Sequence, residues 1–219
     1  MKKEEKEVNL IQANNLLEIE EKINKKDNQL EKIILIYNSA MKTLKMKLDI
    51  LNDEFQNFCE YNPIEHIKTR IKTPESIIEK MNRKGLELTY KNLIEEINDI
   101  AGIRIICSFK DDIFKIVNII ENFQDIEVIE SKDYITHPKE SGYQSYHMIL
   151  NVPVTFTDKT IYVKVEVQIR TIAMDFWASL EHKLKYKKNI SKKKSRELIN
   201  CAKMISKLDN KMMEIKYNA

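Results

Sequence analysis

The longest strict alternation of apolar and polar positions runs from Lys159 to Arg170, KTIYVKVEVQIR, where Ile161, Val163, Val165, Val167 and Ile169 alternate with Tyr162, Lys164, Glu166, Gln168 and Arg170. A period of two sends the two sets to opposite faces of a sheet, so one face predicts core and the other solvent or chemistry. Glu166, Gln168 and Arg170 form a ladder on the second face, suited to a cation, an amide contact and a phosphate. Upstream, Leu30, Ile33, Tyr37, Met41, Leu44, Leu48, Leu51, Phe55 and Phe58 recur every three or four residues and predict one stripe of a long helix, closed by Pro63. Residues before about Asn28 alternate charges and read as a frayed helix or arm.

Further along, Tyr90 to Ile97 reads as helix. Ile103, Ile105 and Cys107 then alternate with Gly102, Arg104 and Ile106 in a buried strand, with Asp99 just ahead and Gly102 opening space on the Arg104 side. Asp111 to Phe123 predicts an amphipathic helix capped by Asp111, and Ile126 to Glu130 a short strand. After a loop with Pro138 and Gly142, a strand is expected with Tyr143, Ser145 and His147 on one face and Gln144, Tyr146, Met148 and Leu150 on the other. A helix from Thr171 places Ile172, Phe176, Trp177 and Leu180 inward. In the last helix, Leu198, Cys201, Ile205, Leu208, Met212 and Ile215 make a near-heptad seam that can pack on its own domain or on another copy of the chain, the second being the expectation. Strands interleaved with helices suggest a layered α/β or α+β sheet.

At 219 residues and 26.0 kDa the chain can bury one sizeable core. Lys+Arg of 37 against Asp+Glu of 34 gives a formal charge of +3, too mild for a dedicated nucleic-acid protein, although Lys183 to Arg196 is densely basic. Cys59, Cys107 and Cys201 are an odd number of thiols without metal spacing, which fits a reducing cytoplasm. The N-terminus lacks an apolar leader core, and no apolar run approaches the roughly 20 residues of a membrane span, so a soluble cytoplasmic protein is expected.

The segment HIKTRIKTPESIIEKMNRKG carries the first visible chemistry. Thr73 can cap a helix whose first residue is Pro74, which points Arg70 and Lys72 at a helix N-terminus, where free N–H groups favour an anion. Ser76, Lys80, Arg83 and Lys84 share one flank of that helix while Ile77, Ile78 and Met81 turn inward. Such cations suit a polyphosphate, and a solvated basic face is the other reading. Tyr143, Ser145 and His147 beside Lys132 and Lys139 fit a purine nucleotide stacked by the ring and neutralised by the lysines, the other reading being a hydrogen-bonded sheet histidine and an edge aromatic. Asp99 alone reads as a cap or turn former.

Together RIKTPESIIEK, DIAGIRIICSF, HPKESGYQSYH and VEVQIRTIAMDFWASLEHKLKYK resemble, in this order, the synthetase domain of the RelA/SpoT family, and most of all its small single-domain members, the small alarmone synthetases. Nothing resembles the family's metal-dependent hydrolase domain or its long C-terminal regulatory region. The resemblance implies an α+β fold, a nucleotidyltransferase-like mixed sheet flanked by helices, with an N-terminal helical extension over 1–60, the synthetase domain over 61–188 and a C-terminal oligomerising helix over 189–219. It implies transfer of pyrophosphate from ATP to the 3′-hydroxyl of GDP or GTP in a homo-oligomer, a tetramer foremost. Asp99 and Glu166 match the acidic pair that holds Mg²⁺, the glutamate also activating the hydroxyl. Arg70, Lys72, Ser76, Lys80, Arg83 and Arg104 fall on the ATP side. Tyr143, matching the guanine-stacking tyrosine, falls with His147, Lys139, Lys132 and Gln168 on the acceptor side. Ser141 and Tyr146 depart from the family's usual Asn and Leu, which bears on the acceptor. His66 and Lys68 lie in a segment associated with alarmone regulation in tetrameric relatives. Two alternatives stand beside this: a pyrophosphokinase for another acceptor, an RNA 3′ end or an adenine nucleotide, and a non-catalytic sensor of nucleotide or single-stranded RNA.

Overall fold

A computed structural model describes residues 29–187 and 191–218. The expectation for the first 28 residues lies outside the described residues, as does part of the basic run. The elements are α1 (Gln29–Phe58), β1 (Ile64–Ile71), α2 (Pro74–Arg83), α3 (Tyr90–Glu96), β2 (Ala101–Cys107), α4 (Lys110–Glu121), β3 (Glu127–Asp133), β4 (Tyr146–Thr155), β5 (Thr160–Thr171), α5 (Ile172–Lys187) and α6 (Lys192–Asn218). They build a mixed five-stranded sheet in the order β1-β2-β5-β4-β3, in which only β2 and β5 run parallel.

The apolar set of β5 is buried as its alternation requires: Ile161, Val163, Val165, Val167 and Ile169 are each at most 1% exposed. Against that face lie α1, which touches β1, β2, β4 and β5, and α4, which touches β2 and β5. Ile33, Tyr37, Leu44, Leu48 and Phe55 join Ile113, Ile116 and Ile120 in one core with the strands, so α1 is part of the domain's own core. Truncating Leu44 or Leu48 to alanine costs about 2–5 kcal/mol on this account. Ile36 and Ala40 widen the buried stripe, whereas Phe58 is 87% exposed because α1 stops there, before Pro63.

Several local expectations are corrected. Ile78 lies on the outer side of α2, leaving Ile77 and Met81 as its buried pair. α4 is capped at Phe109, whose N–H donates to the Asp112 carboxylate, and Asp111 sits inside the first turn. β3 continues to Asp133 and so includes Lys132, while β4 begins at Tyr146, leaving Tyr143 and Ser145 in the preceding loop. In α5 the inward residues are Met174, Trp177 and Ala178; Ile172, Phe176 and Leu180 face outward. The reason is α6, which takes up the Trp177 side of α5. Trp177 Nε1 donates to the Leu198 carbonyl at 2.9 Å, and Thr171 Oγ1 to Asp209 Oδ2 at 2.9 Å. The α6 seam therefore divides: Leu198 and Ile205 pack within the chain, and Leu208, Met212 and Ile215 are exposed.

Candidate active site

The opposite face of the sheet is polar, and the strand register arranges its residues in rows. Arg70, Gly102 and Glu166 are neighbours across β1, β2 and β5. In the next row Lys68, Arg104, Gln168, His147 and Lys132 run across all five strands. A cleft of about 340 Å³ opens over these rows, lined among others by Arg70, Lys72, Asp99, Arg104, Glu166 and Gln168. Gly102 forms its floor without a side chain.

One half of the cleft is built by the β1–α2 junction. The Thr73 hydroxyl accepts from the Ser76 N–H at 3.4 Å and Pro74 takes the first helical position, as the capping pattern requires. Lys72, fixed by its N–H to the Ile100 carbonyl at 2.8 Å, reaches Asp99 Oδ2 at 2.6 Å. From α2, Lys80 Nζ comes within 2.8 Å of Asp99 Oδ1 as a second ion pair. Burial pushes the Asp99 pKa up, but the two ammoniums outweigh it and hold the carboxyl below its ordinary range. Behind Asp99, Lys164 Nζ donates to the Glu95 carbonyl at 3.1 Å and to Asn98 Oδ1 at 3.2 Å. Lys164 thereby ties the Asp99 turn to the strand that carries Glu166. The Ser76 hydroxyl accepts from the capping Thr73 hydroxyl at 3.1 Å, and Arg83 is exposed about 10 Å further along α2, outside the cleft lining.

The other half is a closed ring of contacts. Glu166 Oε1 lies 3.3 Å from His147 Nδ1, and His147 Nε2 shares a hydrogen bond of 2.8 Å with the Tyr143 hydroxyl. Arg170 Nη2 donates to that hydroxyl and to Gln168 Oε1 at 2.7 Å, and Gln168 Nε2 returns to Glu166 Oε2 at 3.0 Å. Burial raises the Glu166 pKa and the Asp99 charge adds to that, but His147 and Gln168 outweigh both, leaving it low. Tyr134 packs edge-on to Tyr143 and His147, with Lys139 Nζ 4.4 Å from the Tyr134 ring and 5.2 Å from Tyr143. Lys132 stands in register with His147 and pairs with Glu130 at 2.7 Å.

Thus Arg70, Lys72, Lys80 and Arg104 gather around Asp99 and Glu166, and Tyr143, His147 and Gln168 gather on the far side of Glu166. Arg170 closed the polar ladder of the alternation pattern as a candidate phosphate contact; it is instead 4% exposed and organises the ring. Asp175 had none, and its carboxylate lies behind both halves. Its sole sequence signal is an acidic residue four positions after the cap.

A mixed sheet whose polar face joins a basic helix mouth to two carboxylates defines a phosphoryl-transfer class of site. Residues 69–191 match the family model described as the region found in RelA / SpoT proteins. Bacillus subtilis GTP pyrophosphokinase YwaC is 48% identical over 185 residues, covering 84% of this chain and 88% of that protein. GTP pyrophosphokinase YjbM of the same organism is 39% identical, covering 87% and 90%. Among solved structures, the small alarmone synthetase 1 of Bacillus subtilis bound to its product pppGpp superposes with a TM-score of 0.82 at 38% identity, covering 88% of this chain and 99% of that one. Small alarmone synthetase 2 of the same organism gives 0.79 at 44%, covering 88% and 100%. The chain belongs to the RelA/SpoT family, and its five-stranded mixed sheet flanked by helices is the fold of the small alarmone synthetases.

Proposed function

We infer that the protein is an alarmone synthetase: it transfers the pyrophosphoryl group of ATP to the 3′-hydroxyl of GDP or GTP, giving guanosine 3′-diphosphate nucleotides and AMP. The observation that carries this reading is that Asp99 and Glu166, 67 positions apart, line one cleft together with Arg70, Lys72 and Arg104. The 3′-oxygen attacks the β-phosphorus, the bond from that phosphorus to the α,β-bridging oxygen breaks, and AMP leaves with the bonding electrons. Arg70, Lys72, Lys80 and Arg104 neutralise the triphosphate and hold it for in-line attack, with Ser76 and Arg83 at the helix flank. Glu166, ionised at neutral pH, accepts the hydroxyl proton as the new bond forms. Tyr143 stacks the guanine, with His147, Lys139, Lys132 and Gln168 around the acceptor.

Mg²⁺ fits the donor set. It takes one or two carboxylates and completes its shell with water and substrate phosphates, and the cleft offers Asp99 and Glu166. Among the described residues no group of three or more His, Cys, Asp and Glu is arranged to hold a metal ion. Mg²⁺ bound there would lower the charge of the phosphates and polarise the bond that breaks.

We also propose a homo-oligomer, a tetramer foremost. Ile172, Phe176, Leu180 and Leu184 recur every four residues along the outside of α5, each between 41% and 62% exposed, and Leu208, Met212 and Ile215 extend an apolar surface on α6. Among the described residues no helix is long and apolar enough to cross a membrane. Mass analysis of products from ATP and Mg²⁺ with GMP, GDP, GTP, an adenine nucleotide and an RNA oligomer tests the reading. A guanine nucleotide two phosphates heavier with equimolar AMP is expected. Preferential modification of RNA or the adenine nucleotide would install the other acceptor, and binding without AMP release would mark a sensor.

A further inference from the structure

Asp175 lies in the first turn of α5, held there by Thr171, whose hydroxyl accepts from the Met174 N–H at 3.1 Å. Its carboxylate meets cations from three strands. Oδ1 accepts from Arg104 Nη1 of β2 at 3.0 Å and from Arg170 Nη1 of β5 at 3.3 Å, and Oδ2 lies 3.8 Å from Lys68 Nζ of β1. The Asp175 side chain is 14% exposed, so water screens its two directional arginine hydrogen bonds weakly, while Lys68, 59% exposed, adds a looser ion pair.

The two arginines lead to different places. Arg104 lines the cleft beside Lys72 and Asp99, and its buried Nε has no hydrogen-bond partner, so the bond to Asp175 is what sets the angle of its guanidinium. Arg170 binds the Tyr143 hydroxyl and Gln168 through Nη2 and the Ser145 hydroxyl through Nε at 3.3 Å. Two guanidiniums that share one carboxylate oxygen would repel without it.

We propose that Asp175 is a positioning residue shared by both nucleotide sites: it orients Arg104 toward the donor and, through Arg170, orients Tyr143 toward the acceptor. The proposal rests on the synthetase reading. The competing role is that of a plain counter-ion, which would make Asp175 an obstacle to the incoming phosphates.

The two roles differ in sign. For Asp175→Asn, which keeps shape but drops the charge, positioning raises KM for both ATP and GDP by about five- to thirtyfold, with kcat less affected. A counter-ion role would lower both KM values and overturn the proposal, as would unchanged values. In the Arg104→Ala background, Asp175→Asn should add nothing further to the ATP KM while still raising that for GDP; a full additional ATP penalty would contradict the route through Arg104. Asp175→Glu covers the case in which the neutral variant does not fold. It retains the charge and shifts it by one methylene, so intermediate KM values support positioning and wild-type values refute it. Wild-type protein that releases no AMP would remove the synthetase reading and this proposal together, whereas an active wild type with unaltered variants removes only the proposal.

Discussion

Where the cleft faces β1 and α2, opposite charges meet in pairs: Asp99 with Lys72 and Lys80, in side chains between 16% and 24% exposed. Where it faces β4, Glu166, His147, Tyr143, Arg170 and Gln168 close a ring in which each polar group satisfies the next. The first half is mostly local in sequence, since β1, the Thr73 cap and α2 supply all its cations but Arg104 of β2. The second draws on β4, β5 and the loop before β4. An ion-paired half exchanges partners easily, because a triphosphate can replace the carboxylate that each lysine holds. A closed ring holds geometry instead, which suits the side where the nucleophile must be aimed.

The comparison can be broken most severely at Glu166, the residue common to both halves. Glu166→Gln keeps the hydrogen-bonding shape but cannot take a proton, and turnover is expected to fall about 100-fold or more at unchanged melting temperature; a wild-type rate would remove its assigned role. Lys72→Met should act on the donor half alone, raising KM for ATP about ten- to a hundredfold, the scale of one hydrogen bond to a charged group, with GDP little affected. Tyr143→Ala is the mirror experiment. Loss of stacking raises KM for GDP about five- to a hundredfold and leaves ATP within about twofold, and equal losses on both substrates would mean the halves are not separable.

The smallest effect concerns α6. Burial pushes the Asp209 pKa up, against the Thr171 hydrogen bond and the Lys110 charge. The folded chain therefore binds this proton more readily than the unfolded one, so the site weakens folding at neutral pH and recovers as pH falls through the folded pKa toward the unfolded value. Asp209→Asn should raise the neutral melting temperature by about 1–3 °C, and the gain should shrink in acid. A gain that is constant with pH would assign the effect to packing.

The donor half was legible because its signals are local. A cap residue before proline, and cations spaced along one helix flank, constrain the backbone without help from distant residues. The apolar alternation of β5 was legible for the same reason. Arg170 and Asp175 were not, since their roles depend on which strands become neighbours and where α5 begins. The inward stripe of α5 was misread because two apolar stripes exist, and only the position of α6 decides that Trp177 is buried while Phe176 is 62% exposed. The α6 seam divided for a related reason: part of a heptad-like pattern can pack within the chain. The family resemblance supplied the pairing of Asp99 with Glu166, which no local pattern contains.

The central claim is that both carboxylates serve attack at the β-phosphorus of one ATP. Following ATP labelled at the β-phosphorus, with GDP and Mg²⁺ present, tests it most directly. All transferred label should appear in the guanosine product, in a one-to-one ratio with unlabelled AMP. Label retained in ADP, or released as orthophosphate, would contradict it.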